Sequence, residues 1–213
     1  MPLQAVLLDF DGTFLDSVEL ILAAFRHTFA AHHGEAPPDA LWLAGIGTPL
    51  MTQMEELSRP GDDLEAMYIT YRDYVIEHHD RLSRPFAGMP EAVRELRARG
   101  MKLAIVTSKR AIGVQRGLEP IGMLDAFDTW VCPEHVTHAK PHPEPVWLAL
   151  ERLGVEREHA VFVGDSPHDL VAGRAAGVAT AAVGWGPFDH ALLRSHEPDH
   201  WLESPADLLG LLG

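Results

Sequence analysis

Three short, unbroken apolar runs constrain the fold more than any other feature: Ala5–Leu8, Leu103–Val106 and Ala160–Val163. Runs this short, without polar alternation, fit strands covered on both faces. Around them lie stretches of helical period. One starts near Pro90, turns Val93 and Leu96 inward and stops at Gly100; another covers about 111–119. A third runs from Pro143 to about Leu153 and is closed by Gly154, and a fourth passes through Ala172–Ala176 to Gly177. A further short strand is expected over Trp130–Cys132, and 179–183 reads as the last core strand. Strands alternating with helices in this way imply an α/β fold with a parallel sheet and right-handed crossovers.

The segment between the first strand and Pro85 follows another rhythm. Val18, Ile21, Leu22, Phe25 and Phe29 recur at helical spacing, with Asp16 or Ser17 placed to cap the helix and Gly34 to end it. Residues 39–84 read as mainly helical, broken at Gly45-Ile46-Gly47-Thr48-Pro49 and Arg59-Pro60-Gly61-Asp62. The expected division is therefore a core of 1–15 and 85–213 with a helical insert over 16–84. Pro85-Phe86-Ala87-Gly88 is the expected return hinge.

Ligands of open parallel sheets bind beyond the carboxyl ends of the strands. Asp9 and Asp11 follow the first run, Thr107 and Ser108 the second, and Asp165 the third, with Asp169 one helical turn later. Lys140 sits in the loop Ala139-Lys140-Pro141-His142-Pro143 and is one of only three lysines in the chain. Carboxylates gathered in one crevice repel one another. A hard divalent cation relieves this, and Mg²⁺ prefers oxygen ligands. A carboxylate pair two residues apart suits a division of labour, one attacking phosphorus and the other moving protons. Lys140 and Thr107 would supply charge and a hydroxyl to the transferring group.

Asp9-Phe10-Asp11-Gly12-Thr13, Thr107-Ser108, Lys140-Pro141 and Gly164-Asp165-Ser166-Pro167-His168-Asp169 resemble, in order, the four motifs of the haloacid dehalogenase (HAD) superfamily. The resemblance implies a Rossmann-like parallel-sheet core with an inserted α-helical cap of the C1 type. It implies Asp9 as nucleophile and Asp11 as general acid and base. Mg²⁺ would be held by the Asp9 and Asp165 carboxylates and the Asp11 carbonyl, with Asp169 steadying the metal site through bound water or Lys140. Thr107, the Ser108 amide and Lys140 would hold the phosphoryl group. An acid at Asp11 points to a phosphatase, because the dehalogenases of the superfamily lack one there; Phe14 stands where leucine is commoner, a matter of packing. In the insert, His27-Thr28-Phe29, Ile46-Gly47-Thr48-Pro49-Leu50 and Tyr71-Arg72-Asp73-Tyr74 with His78-His79-Asp80 are similar to the cap of the bacterial inorganic pyrophosphatases of this superfamily. Phosphoglycolate phosphatases are close relatives with the same core.

The expected activity is hydrolysis of a small phosphorylated substrate, foremost pyrophosphate, through an aspartyl-phosphate. The alternatives are phosphoglycolate, then a phosphosugar mutase resembling β-phosphoglucomutase, and last a non-catalytic binding module. A net charge of −14 from 31 acidic and 17 basic residues argues against nucleic acid and anionic membranes as partners. The N-terminus reads as lacking a leader and no run is long enough to span a bilayer, so a cytoplasmic protein is expected; the oligomeric state is left open. The lone Cys132 reads as a buried structural thiol. The thirteen histidines carry no H-E-x-x-H pattern or cysteine partner, and the pairs His32-His33 and His78-His79 read as surface or structural groups. Lys109, Arg72 and Arg81 read as surface cations, Trp42, Trp130, Trp147 and Trp201 as packing residues, and Trp185 as a residue of the crevice rim.

Overall fold

The computed structural model describes residues 2–212. The chain begins with β1 (Ala5–Leu8) and, after a tight turn, the two-residue β2 (Leu15–Asp16). Four helices follow: α1 (Val18–His33), α2 (Asp39–Gly45), α3 (Leu50–Leu57) and α4 (Leu64–Leu82). The chain returns through β3 (Arg84–Pro85), then α5 (Met89–Ala98), β4 (Lys102–Val106), α6 (Ala111–Leu118), β5 (Thr129–Val131) and α7 (Glu144–Leu153). It ends with β6 (Ala160–Gly164), α8 (Pro167–Ala176), β7 (Ala179–Val183), α9 (His190–Ser195) and β8 (His200–Leu202).

The six-stranded sheet has the order β5-β4-β1-β6-β7-β8, with every pair parallel. Successive side chains of β1 point to opposite faces. Val6 and Leu8 join a core with Val93, Leu96 and Val114, while Ala5 and Leu7 join a second with Val146, Leu150 and Ala172. All four residues of β1 are fully buried, which is why the run carries no polar position. Leu8 pairs with Ile105 on one side and Val163 on the other, so the three strands end level. The chain builds β4 and β5 on one side of β1 and β6 to β8 on the other. The crevice between these halves opens at the carboxyl ends of β1, β4 and β6.

Two strands depart from the expected sheet. β8 extends it beyond β7, so 179–183 is not the last strand. It is three residues long and starts with exposed His200, and so offers no apolar run. β5 sits one residue earlier than expected; Cys132 follows it, and burial pushes its thiol up to about 12.

The helices between β2 and β3 pack around Leu22, Phe25, Phe29, Trp42, Met54 and Met67, with the Phe25 and Trp42 rings stacked 3.9 Å apart. They leave and re-enter through the antiparallel β2–β3 ribbon, where the Phe86 amide donates to the Phe14 carbonyl. Phe14 is itself buried and stacked on Phe10 at 5.5 Å. Among the described residues, no helix is long and apolar enough to cross a membrane.

Candidate active site

Asp9 is the first residue beyond β1, and its amide donates to the Val163 carbonyl of β6. Its side chain is buried but lines a cavity of about 650 Å³ between the sheet ends and the helical insert. Asp11, Thr107, Ser108 and Lys109 line the same wall. Lys140, Asp165 and Asp169 pack behind Asp9, all buried. The strand ends thus bring together every predicted site residue: Asp9, Asp11, Thr107, Ser108, Lys140, Asp165 and Asp169.

Lys140 Nζ holds the buried cluster. It donates to Asp169 Oδ1 at 2.6 Å and to the Val106 carbonyl at 3.2 Å, and lies 3.0 Å from Asp9 Oδ1 as an ion pair without hydrogen-bond alignment. Burial alone would favour neutral Lys140, but Asp169 and Asp9 outweigh it and hold the ammonium well above its ordinary value. Asp169 Oδ2 accepts from the Ser166 amide at 3.0 Å and the Ser166 hydroxyl at 2.6 Å, a reciprocal cap on α8. Both Asp169 oxygens are therefore engaged within the protein, one of them on Lys140.

Asp165 accepts a 2.8 Å hydrogen bond from Thr13 Oγ1 on one oxygen, while its other oxygen, Oδ2, is buried without a partner. Burial, then the Asp9 and Asp169 charges, push its carboxyl well above the ordinary range. Burial likewise pushes Asp9 up to about 7, with Asp169 adding to the rise and Lys140 opposing it. Carboxylate atoms of Asp9, Asp165 and Asp169 lie within 4.8 Å of one another. Three carboxyl groups around one ammonium, with one Asp165 oxygen left without a partner, make an oxygen-rich site that fits a hard divalent cation. Gly12 keeps it open. Its φ is +82°, and a Cβ there would stand 2.4 Å from Asp165 Oδ2.

Lys109, Ser17 and Trp185 stand differently from the sequence reading. Lys109 is not a surface cation: its Nζ donates to Asp11 Oδ1 and Oδ2 at 2.8 and 3.0 Å, and its side chain is only 13% exposed. Ser17 does not cap α1 with its hydroxyl; that hydroxyl donates to Asp11 Oδ1, and Asp16 belongs to β2. Thr13, which fixes Asp165, had no assigned role, although it lies in the first motif. Trp185 donates from Nε1 to the Thr13 carbonyl at 3.0 Å, bracing the turn after β1 rather than lining the cavity. Trp147 is half exposed, with its ring edge-on to His142 at 6.1 Å.

The insert meets the core over this site. Ser108 Oγ donates to the Gly47 carbonyl at 2.6 Å, Arg110 to the Tyr68 hydroxyl at 2.9 Å and Arg116 to the Ile76 carbonyl at 2.6 Å. The 46–50 segment forms part of the cavity roof, together with Ile21, Phe25, Tyr71, Arg72 and Val75. Arg72 bonds Asp73 at 2.7 Å while also facing the cavity. His79 is buried against Asp80, and His78 packs edge-on against Tyr74.

The family model described as haloacid dehalogenase-like hydrolase matches residues 6–183. The chain is 37% identical over 213 residues to "Pyrophosphatase PpaX" of Halalkalibacterium halodurans, covering all of this chain and 98% of that one. The same name, identity and coverage hold for the protein of Oceanobacillus iheyensis. Among solved structures, a haloacid dehalogenase-like family hydrolase from Streptococcus pneumoniae superposes with a TM-score of 0.85 at 25% identity, covering 99% of each chain. A predicted phosphoglycolate phosphatase from Haemophilus somnus superposes with a TM-score of 0.91 at 23% identity over 99% of this chain and 98% of that one, a likeness of fold.

Proposed function

The chain belongs to the haloacid dehalogenase-like hydrolase family as one of its phosphatases, and from that premise we propose that it cleaves inorganic pyrophosphate with Mg²⁺ through a phosphoryl group carried on Asp9. The observation that carries the mechanism is the placement of Asp9. It alone of the three clustered aspartates lines the cavity, and it stands beside the orphaned oxygen of Asp165. The end-to-end likeness to proteins named pyrophosphatase supports the substrate.

In this reading Asp9, Asp165 and the Asp11 carbonyl would hold Mg²⁺, with Asp169 acting on the site through Lys140. Bound there, the ion would supply positive charge to the phosphoryl oxygens and lower the carboxylate repulsion. An Asp9 oxygen attacks phosphorus, the bond to the leaving phosphate breaks, and Asp11 gives that phosphate its proton. Asp11 then takes a proton from a water that attacks the phosphoryl group, and Asp9 is released. Thr107 and the Ser108 amide hold the transferring group, and Lys140 favours the ionised form of Asp9 against the effect of burial and orients it. Lys109 and Ser17 position the Asp11 carboxylate. Arg72, Lys109 and Arg110 are the cations that line the cavity, each paired with an acid, Asp73, Asp11 and Glu134 respectively. Residues 16–84 serve as the cap that excludes water during attack.

The cavity size favours a second reading. About 650 Å³ with Ile21, Phe25, Leu50, Met51, Val75 and Ile112 in its lining leaves room for a carbon-bearing leaving group, as in phosphoglycolate. Phosphate release from pyrophosphate, 2-phosphoglycolate and sugar phosphates, with and without Mg²⁺, separates the two. A preference for pyrophosphate supports the proposal, and a preference for a monoester moves the substrate while keeping the chemistry. Turnover only with a sugar bisphosphate activator assigns a mutase. No turnover of any ester leaves a binding module.

A further inference from the structure

Outside the catalytic crevice, the structure brings His138, His142 and Glu144 together, with one donor atom of each within 4.8 Å of the others. All three belong to the loop that delivers Lys140 and to the first residue of α7. Glu144 is held in place by the chain itself: its Oε1 accepts from the Thr137 amide at 2.7 Å, and its Oε2 from the His138 amide at 2.9 Å. The two imidazoles converge on that second oxygen. His138 Nδ1 lies 2.8 Å from Oε2 and His142 Nδ1 3.9 Å from it, with ring centroids 4.6 Å apart. The Glu144 amide donates to His142 Nδ1 at 3.2 Å, which marks that nitrogen as the unprotonated one of the ring; a metal ion ligated there takes its lone pair over from the amide. The side chains remain open to solvent, 62% exposed for His138 and 44% for His142, so an ion has an entry path and room for water ligands.

We propose that His138, His142 and Glu144 form a second metal site, selective for a borderline divalent cation such as Zn²⁺. Two imidazoles and a carboxylate suit zinc, whereas the all-oxygen cluster at Asp9 suits Mg²⁺. Zinc displaces the proton between His138 Nδ1 and Glu144 Oε2 to solvent and replaces the Glu144 amide as the partner of the His142 Nδ1 lone pair. Ligand atoms now 2.8–3.9 Å apart on the Glu144 oxygen are near the separations of a tetrahedral zinc site, about 3.2–3.5 Å from its bond lengths. The ion would tie together the two sides of the turn whose midpoint is Lys140, and so brace the ammonium that bridges Asp9 and Asp169. The site does not depend on the substrate assigned above.

The test is calorimetric titration of zinc chloride into the Mg²⁺-saturated protein, compared with His142→Asn, His138→Gln and Asp165→Asn. Asn at 142 can still accept the Glu144 amide, and Gln at 138 keeps a polar contact to Glu144. One zinc equivalent should bind more tightly than to the remaining histidines. It should weaken by at least about tenfold in each histidine variant and persist in Asp165→Asn. Zinc should also raise the melting temperature of the unaltered protein more than that of either histidine variant. Absence of a tight equivalent in the unaltered protein, or an equivalent lost in Asp165→Asn and retained in both histidine variants, would overturn the assignment.

Discussion

Gly12→Ala should disable the site while sparing most of the fold. The added Cβ would lie 2.4 Å from Asp165 Oδ2, 2.8 Å from its Cγ and 3.0 Å from Oδ1. Ordinary carbon–oxygen contact begins near 3.4 Å, so the carboxylate must retreat by about 1 Å. It has nowhere to go. Thr13 holds Oδ1 at 2.8 Å, and the 184–186 segment packs so closely behind that a Cβ at Gly186 would come within 2.4 Å of Asp165 Cβ. A displacement of that size at a catalytic group costs roughly 10²-fold in rate. The φ of +82° adds about 1–2 kcal/mol of backbone strain for alanine, worth about 2–8 °C in melting temperature for a chain of this length. The assay is kcat/KM as a function of Mg²⁺, with thermal melts in EDTA. An alanine variant that keeps both Mg²⁺ affinity and kcat/KM within about threefold of the unaltered protein would refute the reading of Asp165 as the metal-facing carboxylate.

Lys140→Met removes the only ammonium from a buried cluster of three aspartates. It should destabilise the metal-free protein by about 3–5 kcal/mol, with part of the loss restored by Mg²⁺ in thermal melts. Ser108→Ala deletes the bond to the Gly47 carbonyl, worth about 1 kcal/mol, and should raise KM about fivefold in steady-state assays by loosening the insert over the cavity. The raised Asp9 carboxyl links stability to pH. In the metal-free protein Asp9 stays protonated up to about 7, above its unfolded value of 3.8, so the folded state binds the extra proton between those limits. The Asp9 contribution to stability is therefore present below 3.8 and falls as pH rises through about 7. Mg²⁺ should abolish that fall, and calorimetry in two buffers should record proton release on Mg²⁺ binding near neutral pH that vanishes well above it.

Much of this site was legible in the sequence because parallel strands end in register. Leu8 aligns with Ile105 and Val163, so the residues just beyond three apolar runs had to meet. Asp169 was readable for a local reason, being three residues after Ser166 at the start of a helix. What escaped depended on contacts across the chain. Lys109 is two residues from Thr107, yet its partner Asp11 is 98 residues away, and nothing near Lys109 separates it from a solvated lysine. Ser17 stands where a helix cap stands, but a carboxylate six residues earlier competes for its hydroxyl. β8 is three residues long and without an apolar run, so only its pairing with β7 reveals it. The His138–His142–Glu144 group leaves no signal in the sequence, because its imidazoles stand four residues apart in a loop and meet only through the turn at Lys140.

The most direct test of the account is acid quench of the Mg²⁺-loaded protein during turnover of pyrophosphate and the other phosphates, followed by peptide mass spectrometry, with Asp9→Asn in parallel. A phosphoryl group is expected on the peptide containing Asp9 and is expected to be absent from the Asn variant, which also loses turnover. Undiminished turnover in Asp9→Asn, or a phosphoryl group on another residue, would contradict it.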